Sequence, residues 1–319
     1  METRNPQNKK KPSSSRKRSP LRPPTRRAPE DTTEAEAPSP RGGVAEAPRR
    51  GVGRKRPAAA PEDTIKLQKA LADAGLGSRR EIEAWIEAGR VNVNGESAHV
   101  GQRIGPGDKV KVNGKLVNLH LGQQRPPRVL LYHKPEGEIV SRDDPQHRAS
   151  VFDKLPRIRG GRWIAIGRLD FNSCGLLIFS SSGELANRMM HPRYAIEREY
   201  AVRLLGELSD EATKQLTGGI QLDDGMARFQ RLYPTGGEGA NRWYEVTISE
   251  GRYREVRRMF EAVGVTVSRL MRVRYGPLAL PPRLKRGQVM ELSPVDVQAL
   301  LKALPPAGKA PESPEESAT

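Results

Sequence analysis

The stretch that decides the reading is Gly167-Arg168-Leu169-Asp170-Phe171-Asn172-Ser173-Cys174-Gly175-Leu176-Leu177. It lies between two β-like runs, Trp163 to Gly167 and Leu176 to Ser180, so its charged residues fall on a tight strand-to-strand loop. Such a loop can project one acid into a groove while the arginine meets phosphate or orients the acid. The same four residues also suit an ordinary turn, in which Asp accepts backbone hydrogen bonds. The surrounding sequence has to decide between the two.

Working outward, further β-like runs are Val129 to His133, Glu197 to Leu204, Tyr244 to Ser249 and Ser268 to Arg274. Helical periodicity is confined to about Gly183–Met190, Asp210–Leu216 and Glu255–Val263, too few helices for a regular parallel βαβ series. The expectation is an α+β domain over 128–301, built on a largely antiparallel mixed sheet with short helices, whose rigid face floors a cleft. Residues 64–117 form a smaller module. Leu67, Ala70, Leu71 and Ala74 recur at helical spacing, Gly75 and Gly77 stop that helix, and Ser78 with Glu81 makes a capping box for a second, Arg79 to Ala88. Asn94-Gly95 then marks a hairpin. Residues 118–127 read as a linker.

The chain has 319 residues, and 55 Lys or Arg against 38 Asp or Glu leave a net charge of +17. That balance favours a polyanionic partner, nucleic acid first and an anionic membrane surface as rival. No run approaches the roughly 20 apolar residues needed to span a bilayer. Residues 1–63 hold 16 Lys or Arg, 8 Asp or Glu and 11 Pro with few bulky apolar side chains, the composition of a disordered basic arm. Residues 302–319 read as a second disordered tail. The single cysteine, Cys174, cannot form an internal disulfide, and no secretory order follows Met1, so a reducing cytoplasm is expected. The histidines at 99, 120, 133, 147 and 191 lack metal-ligand spacing, and neither a Walker A loop nor G-x-G-x-x-G is present, so no metal or other cofactor is expected. Asp143-Asp144 and Asp223-Asp224 read as surface turns.

The 64–117 module resembles the S4-like RNA-binding domain, whose capped second helix and leading basic residues, here Arg79 and Arg80, lie on RNA. Arginines there face the helix end that disfavours cations unless an anion is near. The decisive loop, with its Gly-Leu-Leu continuation, resembles the catalytic motif of RNA pseudouridine synthases. Four further runs match that family in order: Tyr132-His133-Lys134-Pro135-Glu136-Gly137, Arg198-Glu199-Tyr200, the run Glu250 to Met259, and the run Arg269 to Gly276. Tyr253 is a departure, standing where relatives usually carry Asn.

The resemblance implies an enzyme that converts uridine to pseudouridine in ribosomal RNA, with the large subunit or its precursor preferred and the small subunit as alternative. It assigns the catalytic carboxylate to Asp170 and its cationic partner to Arg257, with Arg258 as the other choice or a phosphate contact. A dry pocket would raise the pKa of Asp170 and a neighbouring guanidinium would oppose that. Tyr200 would stack on the displaced uracil and relay its C5 proton, and Leu270 would wall the pocket; by pattern alone both are core residues of alternating strands. Arg168, Arg252, Arg254, Arg258, Arg272 and Arg274 would line a basic cleft. The expected partner is ribosomal RNA, met by a monomer without membrane contact. The rival functions are a non-enzymatic S4-type RNA-binding or ribosome-assembly protein and a sugar hydrolase, the latter disfavoured because no second acid accompanies Asp170.

Overall fold

The computed structural model describes residues 64–119, 121, 126–239 and 241–306. The basic arm, the middle of the linker and the tail from 307 onward lie outside the described residues.

The first module comprises β1 (Ile65–Lys66), α1 (Leu67–Asp73), α2 (Arg79–Glu87), β2 (Val91–Val93), β3 (Glu96–Ser97), β4 (Arg103–Ile104), β5 (Val110–Val112) and β6 (Lys115–Val117). The capping box forms as the spacing predicts: the Ser78 hydroxyl accepts the Glu81 amide, and the Glu81 carboxylate accepts the Ser78 amide. Leu67, Leu71, Ile82 and Ile86 pack onto Val91 and Val110 of the antiparallel sheet β3-β2-β5-β6. Trp85 is only partly buried, with the Arg90 guanidinium 5.3 Å over its ring. Arg79 and Arg80 stay exposed on the first turn of α2.

The larger part comprises β7 (Val129–Lys134), β8 (Ile164–Ile166), β9 (Cys174–Ser180), α3 (Gly183–Met190), β10 (Arg198–Leu205), α4 (Asp210–Gly218), β11 (Ile220–Leu222), β12 (Gly225–Ala227), β13 (Arg231–Glu238), β14 (Asn241–Ile248), α5 (Glu255–Ala262), β15 (Thr266–Tyr275), β16 (Leu278–Ala279), β17 (Val289–Glu291) and α6 (Pro294–Ala303). One mixed sheet runs β13-β14-β10-β15-β9-β7-β17, with β8 beside β9 and β16 beside β15. Its strands pair antiparallel except β9 with β15. Strand β9 is buried on both faces: Leu177 and Phe179 join one core with α4 and α5, while Leu176 and Ile178 join another with α3 and α6. That double burial explains its unbroken apolar run.

Helix α6 corrects the expected boundary at 301. Ser293 caps it and Pro294 opens it, as helix N-termini favour. Leu304 is buried, and Arg188 donates to the carbonyls of Leu301, Leu304 and Pro305, filling acceptors that a helix end leaves open. The Pro-rich composition after Leu304 hides this last turn in the sequence.

The parallel contact positions the site. Cys174 and Gly175 lie opposite Met271 and Arg272, and Arg272 in turn lies opposite Tyr200 on β10. Three neighbouring strands thus bring the 167–173 loop, Leu270 with Arg272, and Tyr200 to one place. Gly175 makes this possible: its φ is +105°, and a Cβ there would fall on the Arg272 backbone, 2.6 Å from its nitrogen.

Candidate active site

The loop that carries Asp170 is held by its backbone. Lys134, fully buried at the end of β7, donates its ammonium to the carbonyls of Asp170 (3.1 Å), Ser173 (2.8 Å) and Pro135 (3.0 Å). The Gly137 amide donates to the Phe171 carbonyl at 2.9 Å. Arg257 on α5 donates Nη2 to the Asn172 carbonyl at 2.9 Å and Nη1 to Val267 on β15 at 3.0 Å. Arg272, 2 % exposed, donates Nε to the Leu176 carbonyl at 2.8 Å and brings Nη1 to within 3.5 Å of the Arg168 carbonyl. Three buried cations and one amide therefore collect the main-chain oxygens of residues 168, 170, 171, 172, 173 and 176. Charge-assisted bonds of this kind are stronger than neutral ones, so the loop is rigid.

Above it opens a cavity of about 1040 Å³, lined by Asp170, Tyr200 and Leu270 among others. That volume sits at the upper end of the range for small-molecule sites, so it admits more than one base. Three of the four residues expected to act together thus share one hollow. Arg257, the fourth, sits behind the loop, and the expected direct ion pair is replaced by its two carbonyl bonds; Asp170 belongs to no ion pair among the described residues. The correction has a physical reason: a guanidinium sunk between α5 and β15 turns its two terminal nitrogens to the nearest carbonyls, and Nε alone stays without a partner among the described residues. Burial pushes the Arg257 pKa down and the charge of Asp170 pushes it back up, so the two remain electrostatically coupled.

The expected basic cleft is largely neutralised. Arg252 binds Asp224, Glu250 and Glu255; Arg258 binds Asp224 at 2.7 Å; Arg254 lies 3.7 Å from Glu261; and Arg274 binds Glu197 and Glu199. Of the expected set on this domain, Arg168 alone is exposed and without an ion pair among the described residues. Two cavity-lining acids are likewise consumed, Asp144 by Arg148 and Glu255 by Arg252. Asp143, a third acid of the lining, is exposed and in no ion pair among the described residues, while Asp144 is half-buried, so this pair lines the cavity rather than forming the expected surface turn.

Sequence reasoning missed Lys134 and Arg198 as members of this site. Arg198 lines the cavity, nearly buried, and donates to the Ser249 carbonyl and the Tyr275 hydroxyl, whose ring centroid is 4.9 and 5.0 Å from the Arg198 and Arg272 guanidinium groups. A signal existed for Lys134: it shares the strand face of Leu130 and Tyr132, both core residues.

Comparison with known proteins agrees with this geometry. Residues 128–262 match the family model described as RNA pseudouridylate synthase, and residues 65–110 match the S4 domain. The chain is 55% identical over 245 residues to ribosomal large subunit pseudouridine synthase B of Escherichia coli (strain K12), covering 76% of this chain and 84% of the relative. It is 53% identical over 244 residues to the protein of the same name from Haemophilus influenzae, covering 75% and 68%. A crystal structure of a pseudouridylate synthase superposes with a TM-score of 0.52 at 25% identity, covering 74% of this chain and 99% of that one.

Proposed function

The chain belongs to the RNA pseudouridylate synthase family and carries an S4 domain before the catalytic one, and on that premise we propose that it isomerises uridine in large-subunit ribosomal RNA with Asp170 as the catalytic carboxylate. The observation that carries the reading is the shared hollow of Asp170, Tyr200 and Leu270 over a loop whose backbone is fixed.

The reaction detaches uracil from the sugar at N1, turns it and rejoins it through C5, adding no water and exchanging no electrons. Uracil leaves as a delocalised anion, so one carboxylate near C1′ suffices where glycoside hydrolysis enlists two. The consumed state of Asp144 and Glu255 fits that economy, and the exposed Asp143 is the one further acid of the lining left outside an ion pair among the described residues. Attack at C1′ and removal of the C2′ proton both require an ionised Asp170 against the sugar, and the rigid loop serves either. Tyr200, nearly buried beside Arg272, presents a ring against which the freed base can turn, and its phenol can relay the C5 proton. Leu270 and Val256 keep the hollow dry, which retains the base. A target uridine must leave its stack to enter. Arg168, Arg254 and, on the S4 domain, Arg79 and Arg80 are the phosphate contacts we favour, while Arg252, Arg258 and Arg272 hold the framework. The working unit we propose is a monomer acting in a reducing cytoplasm, which suits a buried free Cys174.

The test is tritium release from transcripts labelled at uracil C5. Release is expected from unmodified large-subunit ribosomal RNA and little from small-subunit RNA. Release from neither ends the assignment, and release from the small subunit alone transfers the substrate.

Lys134 gives a pH signature. Burial lowers its pKa to about 8, against the opposing charges of Glu138, Cys174, Asp170 and Glu136. A neutral amine has two N–H groups for three carbonyls, so one loop contact is lost on deprotonation. We expect kcat to fall roughly five-fold as pH rises through about 8, the worth of one hydrogen bond of about 1 kcal/mol. Stability moves the other way. The folded pKa lies below the ordinary 10.5, so this group's contribution rises between about 8 and 10.5 and is lost as pH falls back through 8. A flat kcat between pH 7 and 9, read with thermal melts, would remove this role.

A further inference from the structure

Two aromatic rings at the mouth of the cavity have no part in the chemistry above. Phe171 follows Asp170 directly and is 42 % exposed, and Tyr253 is 73 % exposed; both line the cavity. Single exposed aromatics are ordinary on protein surfaces, but two on the rim of one substrate hollow are not scattered. The backbone that carries each is also held. The Phe171 carbonyl takes the Gly137 amide, so its backbone cannot swing. Tyr253 stands between Arg252, which is clamped by Asp224, Glu250 and Glu255, and Arg254, whose left-handed φ of 47° the same loop maintains. Neither ring stacks on another ring or under a cation among the described residues.

Resting on the reading above, we propose that Phe171 and Tyr253 form a stacking clamp for the unpaired RNA bases that flank the extruded uridine. When one base leaves a stack, its neighbours each lose a π-face contact, and that loss is part of the cost of extrusion. Rings presented at the mouth replace those faces, and because every base has a π-face the clamp tolerates different flanking sequences. Its neighbours are suitable: Arg168 is exposed beside Phe171, and Arg254 follows Tyr253, placing cations where the strand's phosphates must pass.

The experiment measures tritium release and filter-binding Kd together, on unmodified large-subunit ribosomal RNA labelled at uracil C5, across a salt series. Phe171→Ala and Tyr253→Ala are each expected to raise KM and Kd on the order of ten-fold, the usual effect of losing one base–aromatic stack. Phe171→Tyr and Tyr253→Phe should stay within about two-fold of wild type, because the π-face survives. The slope of log Kd against log salt should be unchanged in both alanine variants, whereas Arg168→Ala should lower it by about one, since only the arginine displaces a counterion. Kd within about two-fold of wild type for both alanine variants, or a salt slope that moves with them, overturns the clamp. Wild type that binds but releases no tritium counts against the catalytic reading instead, and the Kd comparison still judges the rim.

Discussion

Asp170→Asn is expected to retain RNA affinity within about two-fold and to lose tritium release by about 10⁴-fold or more, the scale on which removal of a lone essential group acts. The two halves of that expectation have separate causes. Asn keeps the volume of Asp but has no charge, so it can neither attack C1′ nor take a C2′ proton. The loop itself should not notice, because Lys134, Arg257 and Arg272 grip main-chain oxygens and the Asp170 carboxylate is a member of no ion pair among the described residues. Filter binding and label release on the same RNA check both halves. Substantial turnover by the variant would dismiss Asp170 as the catalytic group, and loss of binding with turnover unmeasurable would assign it to RNA recognition.

Gly175→Ala should be a severely damaging single methyl. Its φ of +105° is a conformation that L side chains rarely adopt, and the added Cβ would meet the backbone of Arg272 rather than a side chain able to move aside. The parallel contact between β9 and β15 must then open, and with it the placement of Arg272 opposite Tyr200. We expect a loss of about 4 kcal/mol or more, in the range reserved for core disruption and backbone strain. Denaturant unfolding reads it directly. A stable variant with normal activity would mean that the two strands do not depend on that contact for their register.

How much of this was legible depended on range. The capping box of α2 and the strand-to-strand position of Asp170 are local patterns, and both stand in the structure as read. The order of motifs along the chain also pointed to the family whose model residues 128–262 match. What sequence spacing could not reveal was which cations were already spent. Asp224 reaches Arg252 and Arg258 from 28 and 34 residues away, and no local pattern announces that pairing. Arg272 was legible in principle: it stands two residues beyond Leu270 on one strand, so a Leu270 that walls the pocket puts Arg272 on the same buried face. Helix α6 escaped because the Pro-rich composition beyond it masked its end.

The grip on the 167–173 loop engages peptide oxygens, which every amino acid possesses. Its shape is therefore set without help from the side chains at 171 and 172, both exposed on the cavity lining. A substitution there changes what the RNA meets at the mouth, the stacking ring of Phe171 included, with the reactive carboxylate left where it is.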